Sequence, residues 1–168
     1  RVKLVVGLAC GQTKTAHFTR RLAAKLGNPD QLVDVNYRKK RAGLRAVDYA
    51  FEFAFAGPRG VQMGILPFQK RLASLWGSGW CRPYPCCFCD DIFAECADIA
   101  LMDAWDPDYS GDWRGTSFAV VRSSLAEDLL KPAREAGTLE PVPLSVVLGS
   151  QAGAILDKRV GIRLRAVL

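Results

Sequence analysis

The chain has 168 residues, of which 49% are hydrophobic and 24% charged, and a formal net charge of +6 at pH 7. This composition suits one globular domain over residues 1–168 with its own core and excludes wholesale disorder. No run of about 18 apolar residues occurs and no signal-peptide pattern opens the chain, so neither membrane spanning nor export is expected, and the expected compartment is the cytoplasm.

The first residue is Arg1 rather than an initiator methionine, which reads as a piece of a longer protein. Val2 to Ala9 is a short apolar run that predicts a buried strand delivering Cys10 to a loop. Thr15 is a suitable N-cap for a helix with Phe18, Leu22 and Leu26 on one face, stopped by Gly27-Asn28-Pro29. His17, the one histidine, sits early in that helix without a nucleophile partner nearby and is read as a surface residue. Residues 32 to 37 predict a second strand, and Arg38 to Gly43 a basic turn. From Val47 to Phe55 bulky apolar residues hold every odd position, the period of a strand with one buried face. Gly57-Pro58-Arg59-Gly60 is a turn, and Pro67 to Trp76 predicts a helix with proline in its first turn.

The chain then enters its most distinctive stretch, Trp80-Cys81-Arg82-Pro83-Tyr84-Pro85-Cys86-Cys87-Phe88-Cys89-Asp90-Asp91. Of the six cysteines, five lie between positions 81 and 96. The two prolines favour an irregular loop over a helix or central strand. In a reducing compartment, clustered thiols read as metal binding or redox chemistry before disulfides. Beyond it, Asp98 to Asp103 predicts a short strand and Ser117 to Arg122 a buried one. Ser124-Leu125-Ala126-Glu127 fits a capping box opening a helix to about Ala136, and Gly137 ends it. Leu139 to Val147 reads as extended, and a last helix covers much of Gln151 to Arg165. Strands interleaved with helices give an α+β fold, a mixed β-sheet flanked by helices with an irregular cysteine-rich loop.

Basic residues gather at Arg20-Arg21, at Arg38 to Arg41, and at Lys158-Arg159 with Arg163 and Arg165. No recognition-helix or RNA-binding signature accompanies them, so nucleic acid is not the expected partner. Phosphate-bearing cofactors and acidic proteins are served by the same charge.

These residues carry a resemblance. Cys86-x-x-Cys89-x-Asp91, Ala94-Glu95-x-Ala97-Asp98-Ile99, Asp103-Ala104-Trp105-x-Pro107 and Gly115-Thr116-Ser117 resemble the C-terminal domain of the coenzyme F420 hydrogenase/dehydrogenase beta subunit family. Val6-Gly7-Leu8-Ala9-Cys10 and Tyr37-Arg38-Lys39-Lys40-x-x-Gly43 agree with it. The chain is also similar to 7-hydroxymethyl chlorophyll a reductase. The family's N-terminal domain has no counterpart in this sequence.

The resemblance implies a flavin and iron–sulfur oxidoreductase that moves electrons between coenzyme F420, or a related hydride carrier, and 4Fe-4S clusters through FAD. It implies other redox subunits, and the missing N-terminal domain or a ferredoxin-like partner, as company. Carried over residue by residue, Cys86, Cys89 and Cys10 are cluster ligands, with a fourth from Cys81, Cys87 or the missing part. Arg38, Lys40 and Gly43 of the basic turn, and Asp103, Gly115 and Ser117, are expected at the cofactor; no catalytic residue is assigned. Asp91 and Asp98 are read as loop caps, and Cys96 as a small buried core residue. The alternative is a structural zinc domain acting as an interaction module, its metal held by Cys81, Cys86, Cys89 and Cys96.

Overall fold

Phe51, Phe53 and Phe55 are almost fully buried, so the odd-numbered face of their strand is the centre of a core. A computed structural model describes residues 1–68 and 72–165. In chain order it contains strand β1 (Val6–Leu8), helix α1 (Ala16–Ala23), strands β2 (Leu32–Lys39), β3 (Ala50–Gly57) and β4 (Gly60–Pro67), and short helices α2 (Ala73–Gly77) and α3 (Tyr84–Cys87). Strands β5 (Ile99–Asp103) and β6 (Ser117–Val121) follow, then helices α4 (Ser124–Glu135), α5 (Leu144–Ser150) and α6 (Ala152–Ile155), a π-helical turn (Leu156–Val160) and α7 (Gly161–Arg165). The chain divides into two compact units. One comprises Gln12–Cys86 and Ser110–Gly115; the other comprises Arg1–Gly11, Cys87–Tyr109 and the residues from Thr116 onward.

The first, aromatic unit is built on the antiparallel sheet β2-β3-β4. Phe18 and Leu22 of α1 pack on Tyr49, Phe51, Phe53 and Phe55, with Leu66 and Leu72 completing the cluster. Each such side chain removed from water contributes roughly 1.5–3 kcal/mol, which is why α1 holds although its N-cap Thr15 makes no side-chain bond. Strand β4 was not expected: its sequence, Val61 to Leu66, is interrupted by Gly64 and mostly solvent-facing, yet it pairs with β3 along its whole length. Pro67 therefore ends a strand, and among the described residues the helix read over 67–76 is seen at Phe68, whose carbonyl accepts from Leu72 N–H at 2.8 Å, and at Ala73–Gly77, with positions 69–71 lying outside them. Strand β2 also runs on to Lys39, so Arg38 and Lys39 of the expected basic turn are strand residues.

The second unit carries a mixed sheet, β1-β5-β6, with β1 parallel and β6 antiparallel to the central β5. Ala100 and Met102 of β5 face a core with Ala104, Phe118 and Val147. The expected buried strand at the N-terminus is instead a three-residue edge strand paired on one side only, with Val6 52% and Leu8 72% exposed. β6 is likewise an edge, with Phe118 buried and Ser117, Ala119 and Val121 exposed. Helix α4 starts one residue earlier than the expected capping box. Ser123, not Ser124, is the N-cap, its hydroxyl accepting from Ala126 N–H at 3.3 Å. The segment read as extended over 139–147 turns helical at Leu144, with Pro143 before the first turn, where a missing N–H costs nothing. The α+β class and the helix-flanked mixed sheet hold. No helix among the described residues is long and apolar enough to cross a membrane.

Candidate functional site

In the aromatic unit the basic turn and the Gly115 turn meet. Lys40 Nζ donates to the Ala46 carbonyl at 3.0 Å, and the Ala46 N–H donates to the Ser110 carbonyl at 2.8 Å. These bonds tie the 110–115 loop to the Lys40 strand end. Gly115 adopts φ +82, and a Cβ placed on it would stand 3.2 Å from Lys40 Nζ. Only glycine gives both the left-handed backbone and the empty space beside the ammonium. The Arg38 guanidinium lies 4.9 Å from the Tyr49 ring centroid and Lys40 Nζ 5.9 Å from it, two cations over one aromatic face. Gly43, at φ +81, opens onto space with nothing within 4 Å. Asp112 and Arg114 bracket the same loop: the Arg114 side chain hydrogen-bonds the Asp112 carboxylate, lowering its pKa and raising that of the guanidinium.

Of the expected cofactor residues, Arg38, Lys40 and Gly115 are thus brought together. Asp103 and Ser117 belong to the other unit, where they face each other across β5 and β6, with Gln151 Nε2 donating to the Asp103 carbonyl at 2.8 Å. Tyr49, read from its spacing as core alone, is core and also the platform for both cations.

The cysteines divide between the units. Cys81 takes a left-handed φ of 57, and its carbonyl accepts from Thr15 N–H at 2.9 Å. Gln12 fixes this approach, its oxygen accepting from Lys14 at 3.1 Å and from Arg82 at 3.0 Å, its amide donating to the Trp76 carbonyl. Cys86 follows at the turn of α3, its N–H on the Pro83 carbonyl.

In the mixed-sheet unit Cys10 is exposed at the end of β1, its N–H bonded to the Ile92 carbonyl at 2.8 Å. Cys89 Sγ meets Lys158 Nζ at 3.3 Å, and the same ammonium donates to the Asp91 carbonyl at 2.6 Å. Lys158 is only 2% exposed, carried inward on the π-helical turn. The loop that follows is clamped from its carbonyls: Arg122 donates to Phe93, Ala94 and Ala97 at 3.0, 3.2 and 3.1 Å. Asp91 accepts from Glu95 N–H, and Asp98 from Val5 N–H at 2.8 Å. The Val5 bond, with the Ser123 hydroxyl, holds the Asp98 carboxyl below its ordinary pKa. Both aspartates cap the loop, as expected. Cys96 is exposed, not a buried core residue, because the clamped loop turns its side chain outward. None of the six cysteines forms a disulfide. Within neither unit do three histidine, cysteine, aspartate or glutamate side chains among the described residues converge to hold a metal ion, so neither the expected cluster set nor the zinc set is assembled within a unit.

A helix-flanked mixed sheet, a cation and glycine cradle and a run of cysteines outside any disulfide define a cysteine-rich α+β domain. The chain belongs to the coenzyme F420 hydrogenase/dehydrogenase family, whose model for the C terminus of the beta subunit matches residues 1–146. Among solved structures it is similar to a chain of the F420-reducing [NiFe] hydrogenase complex from Methanosarcina barkeri, studied by xenon derivatization. The TM-score is 0.53 at 16% identity, covering 98% of this chain and 51% of that one. That likeness is one of fold, and the chain spans about half the neighbour's length. No curated protein matches the sequence. Lys158 lies beyond the residues the family model matches.

Proposed function

We propose that this domain moves electrons between coenzyme F420, or a related hydride carrier, and 4Fe-4S clusters by way of FAD. It does so beside other redox subunits and the beta-subunit N-terminal domain or a ferredoxin-like partner. The observation that carries the reading is the meeting of Lys40 with Gly115, two family motifs far apart in sequence that join into one cationic cradle. A pyrophosphate or the acidic tail of a deazaflavin fits that donor set, since ammonium and guanidinium groups suit phosphate and carboxylate. Arg38 and Lys40 would hold the anion, Gly115 and Gly43 would let the backbone approach it, and Asp103 and Ser117 stand as cofactor contacts of the mixed-sheet unit. A bound flavin supplies the conversion between a hydride pair and single electrons. The chain's own residues contribute binding and orientation, and hydride transfer asks little more of side chains.

Cys10, Cys81, Cys86 and Cys89 are the proposed thiolate donors, and thiolate is the right chemistry for an iron–sulfur cluster. With no three of the ligating side chains converging in either unit, no step is assigned through the cluster. In the cytoplasm, the proposed compartment, such thiols stay reduced. The test is an anaerobic absorption spectrum with iron, sulfide, zinc and flavin analysis, on this chain and on the longer protein. Flavin with a broad iron–sulfur band, the band lost in Cys86→Ser or Cys89→Ser and the flavin in Lys40→Met, supports the reading. Zinc without flavin refutes it in favour of a structural zinc module.

A further inference from the structure

The mixed sheet ends in a row of backbone groups that nothing among the described residues pairs. The Ala104 N–H bonds the Thr116 carbonyl at 3.0 Å and the Arg122 N–H bonds the Asp98 carbonyl at 2.8 Å. With Met102 opposite Phe118 and Ala100 opposite Val120, these bonds fix the phase of the ladder. Even-numbered residues of β6 therefore bond β5, and the N–H and C=O of Ser117, Ala119 and Val121 point away from it. Among the described residues no strand lies on that side, and all three residues are exposed. An unpaired edge of this kind is a template for another strand.

The edge opens into a groove of about 960 Å³. Phe118, Val142 and Val147 give it an apolar floor, and α4 forms the opposite wall with Glu127, Asp128, Lys131 and Arg134, all on one helical face. Only Arg122 and Ser123 join β6 to α4, so the helix runs back beside the strand. Glu127 pairs with Arg134 at 3.8 Å and Lys131 with Glu135 at 4.0 Å, so Asp128, toward the Val121 end, is the wall charge open to a ligand. A wall facing the edge obstructs the further strands that a second copy's sheet would bring with it.

We propose that this groove takes one extended segment of a partner polypeptide, which adds to β6 as a fourth strand. Its main chain pairs with Ser117, Ala119 and Val121, as in β-strand addition generally. Every second side chain is apolar and rests on Phe118, Val142 and Val147. A basic residue lies toward Val121, where Asp128 stands in the wall. The identity of the partner as a redox subunit rests on the function proposed above. Binding in the groove is read without any cofactor, so the two ideas fail separately.

The test is amide hydrogen exchange by NMR on the whole 168-residue chain, with a synthetic peptide Lys-Thr-Val-Thr-Val-Glu blocked at both ends. At a peptide concentration about ten times its Kd, exchange of the Ser117, Ala119 and Val121 amides slows about tenfold. Peptides N-methylated at alternate residues leave them unchanged. Ala119→Pro deletes only an outward donor, which an edge strand tolerates, and abolishes the slowing. If that variant fails to fold, the N-methylated peptides carry the same test. The proposal is overturned if the three amides exchange at the same rate with and without the peptide, or if N-methylated and plain peptides bind alike. It is also overturned if the amides are already protected in the chain alone, which assigns the edge to a second copy or to the chain itself.

Discussion

Gly7, in the middle of β1, is the place where one added methyl group has no room. A Cβ there would stand 2.3 Å from the Ala94 Cβ and 3.0 Å from the Ala97 Cβ. The loop opposite cannot retreat, because Arg122 holds the carbonyls of Phe93, Ala94 and Ala97. Overpacking in a core ordinarily costs about 1–3 kcal/mol, and with a clamped loop Gly7→Ala falls at the upper end, about 3 kcal/mol. Ala94 is itself left-handed, at φ 49. Ala94→Gly relieves about 1–2 kcal/mol of that strain, forfeits about 0.8 kcal/mol of methyl burial and about 0.5–1 kcal/mol of chain entropy, and ends within about 1 kcal/mol of the parent. In the double variant the shortest clash is gone and only the 3.0 Å approach to Ala97 remains. It therefore recovers about 2 kcal/mol of the loss, a coupling typical of residues in contact. Urea unfolding followed by circular dichroism reads this directly. With a slope of about 2 kcal/mol per molar, Gly7→Ala lowers the midpoint by about 1.5 M and Ala94→Gly returns about 1 M. A neutral Gly7→Ala, or strictly additive effects in the pair, refutes the argument.

Gly115→Ala imposes about 1–2 kcal/mol of left-handed strain and crowds Lys40 Nζ, so melting temperature drops and flavin retention after desalting drops with it. If flavin is retained fully by a folded Gly115→Ala protein, the cradle is not the cofactor site. Ser123→Ala costs about 1 kcal/mol as a lost cap, whereas Ser124→Ala stays within about 0.5 kcal/mol of the parent by chemical denaturation. Equal losses at the two serines would restore the capping box read from sequence. The Asp98 carboxyl titrates below its unfolded value, first through Val5 N–H and then through the Ser123 hydroxyl. Its contribution is present above the ordinary carboxylate pKa and is lost as pH falls through that range toward the folded pKa. Stability measured against pH should therefore decline on acidification more steeply in the parent than in Asp98→Asn, and identical acid limbs would rule the bond out as a source of stability.

The alternation from Val47 to Phe55 made β3 legible because a period of two with large side chains admits no other buried arrangement. β4 was not legible: Gly64 breaks its pattern, and its strand character comes from pairing with β3, which no local signal carries. The apolar run at β1 marked a strand, but composition cannot say whether a neighbour covers it, and here one edge is bare. Adjacent serines at 123 and 124 left the cap ambiguous by one residue. At the site, Arg38, Lys40 and Gly115 were each visible from their motifs, while their meeting belongs to tertiary structure. Lys158 was read only as part of a basic surface patch. A lysine on a charged terminal helix looks solvated, and its burial against Cys89 follows from the π-helical turn that rotates it inward. Cys96 misled in the opposite direction, since a cysteine outside the C-x-x-C is usually a small buried residue, whereas this one lies exposed on the loop that Arg122 clamps.

The parallel pairing of β1 with β5 also sets a timetable for biosynthesis. Val5 and Asp98, which close that pair, are 93 residues apart, and a ribosome adding 5–20 residues per second needs about 5–20 s to cover the gap. The hairpins of β2, β3 and β4 connect neighbours in sequence and are complete well before then. Val2, Val5, Val6 and Leu8 spend that interval as an unpartnered apolar segment of the nascent chain, a natural client for chaperones. A circular permutant opening at Gln12 and carrying residues 1–11 at its end would make β1 last, with its partner strand already waiting.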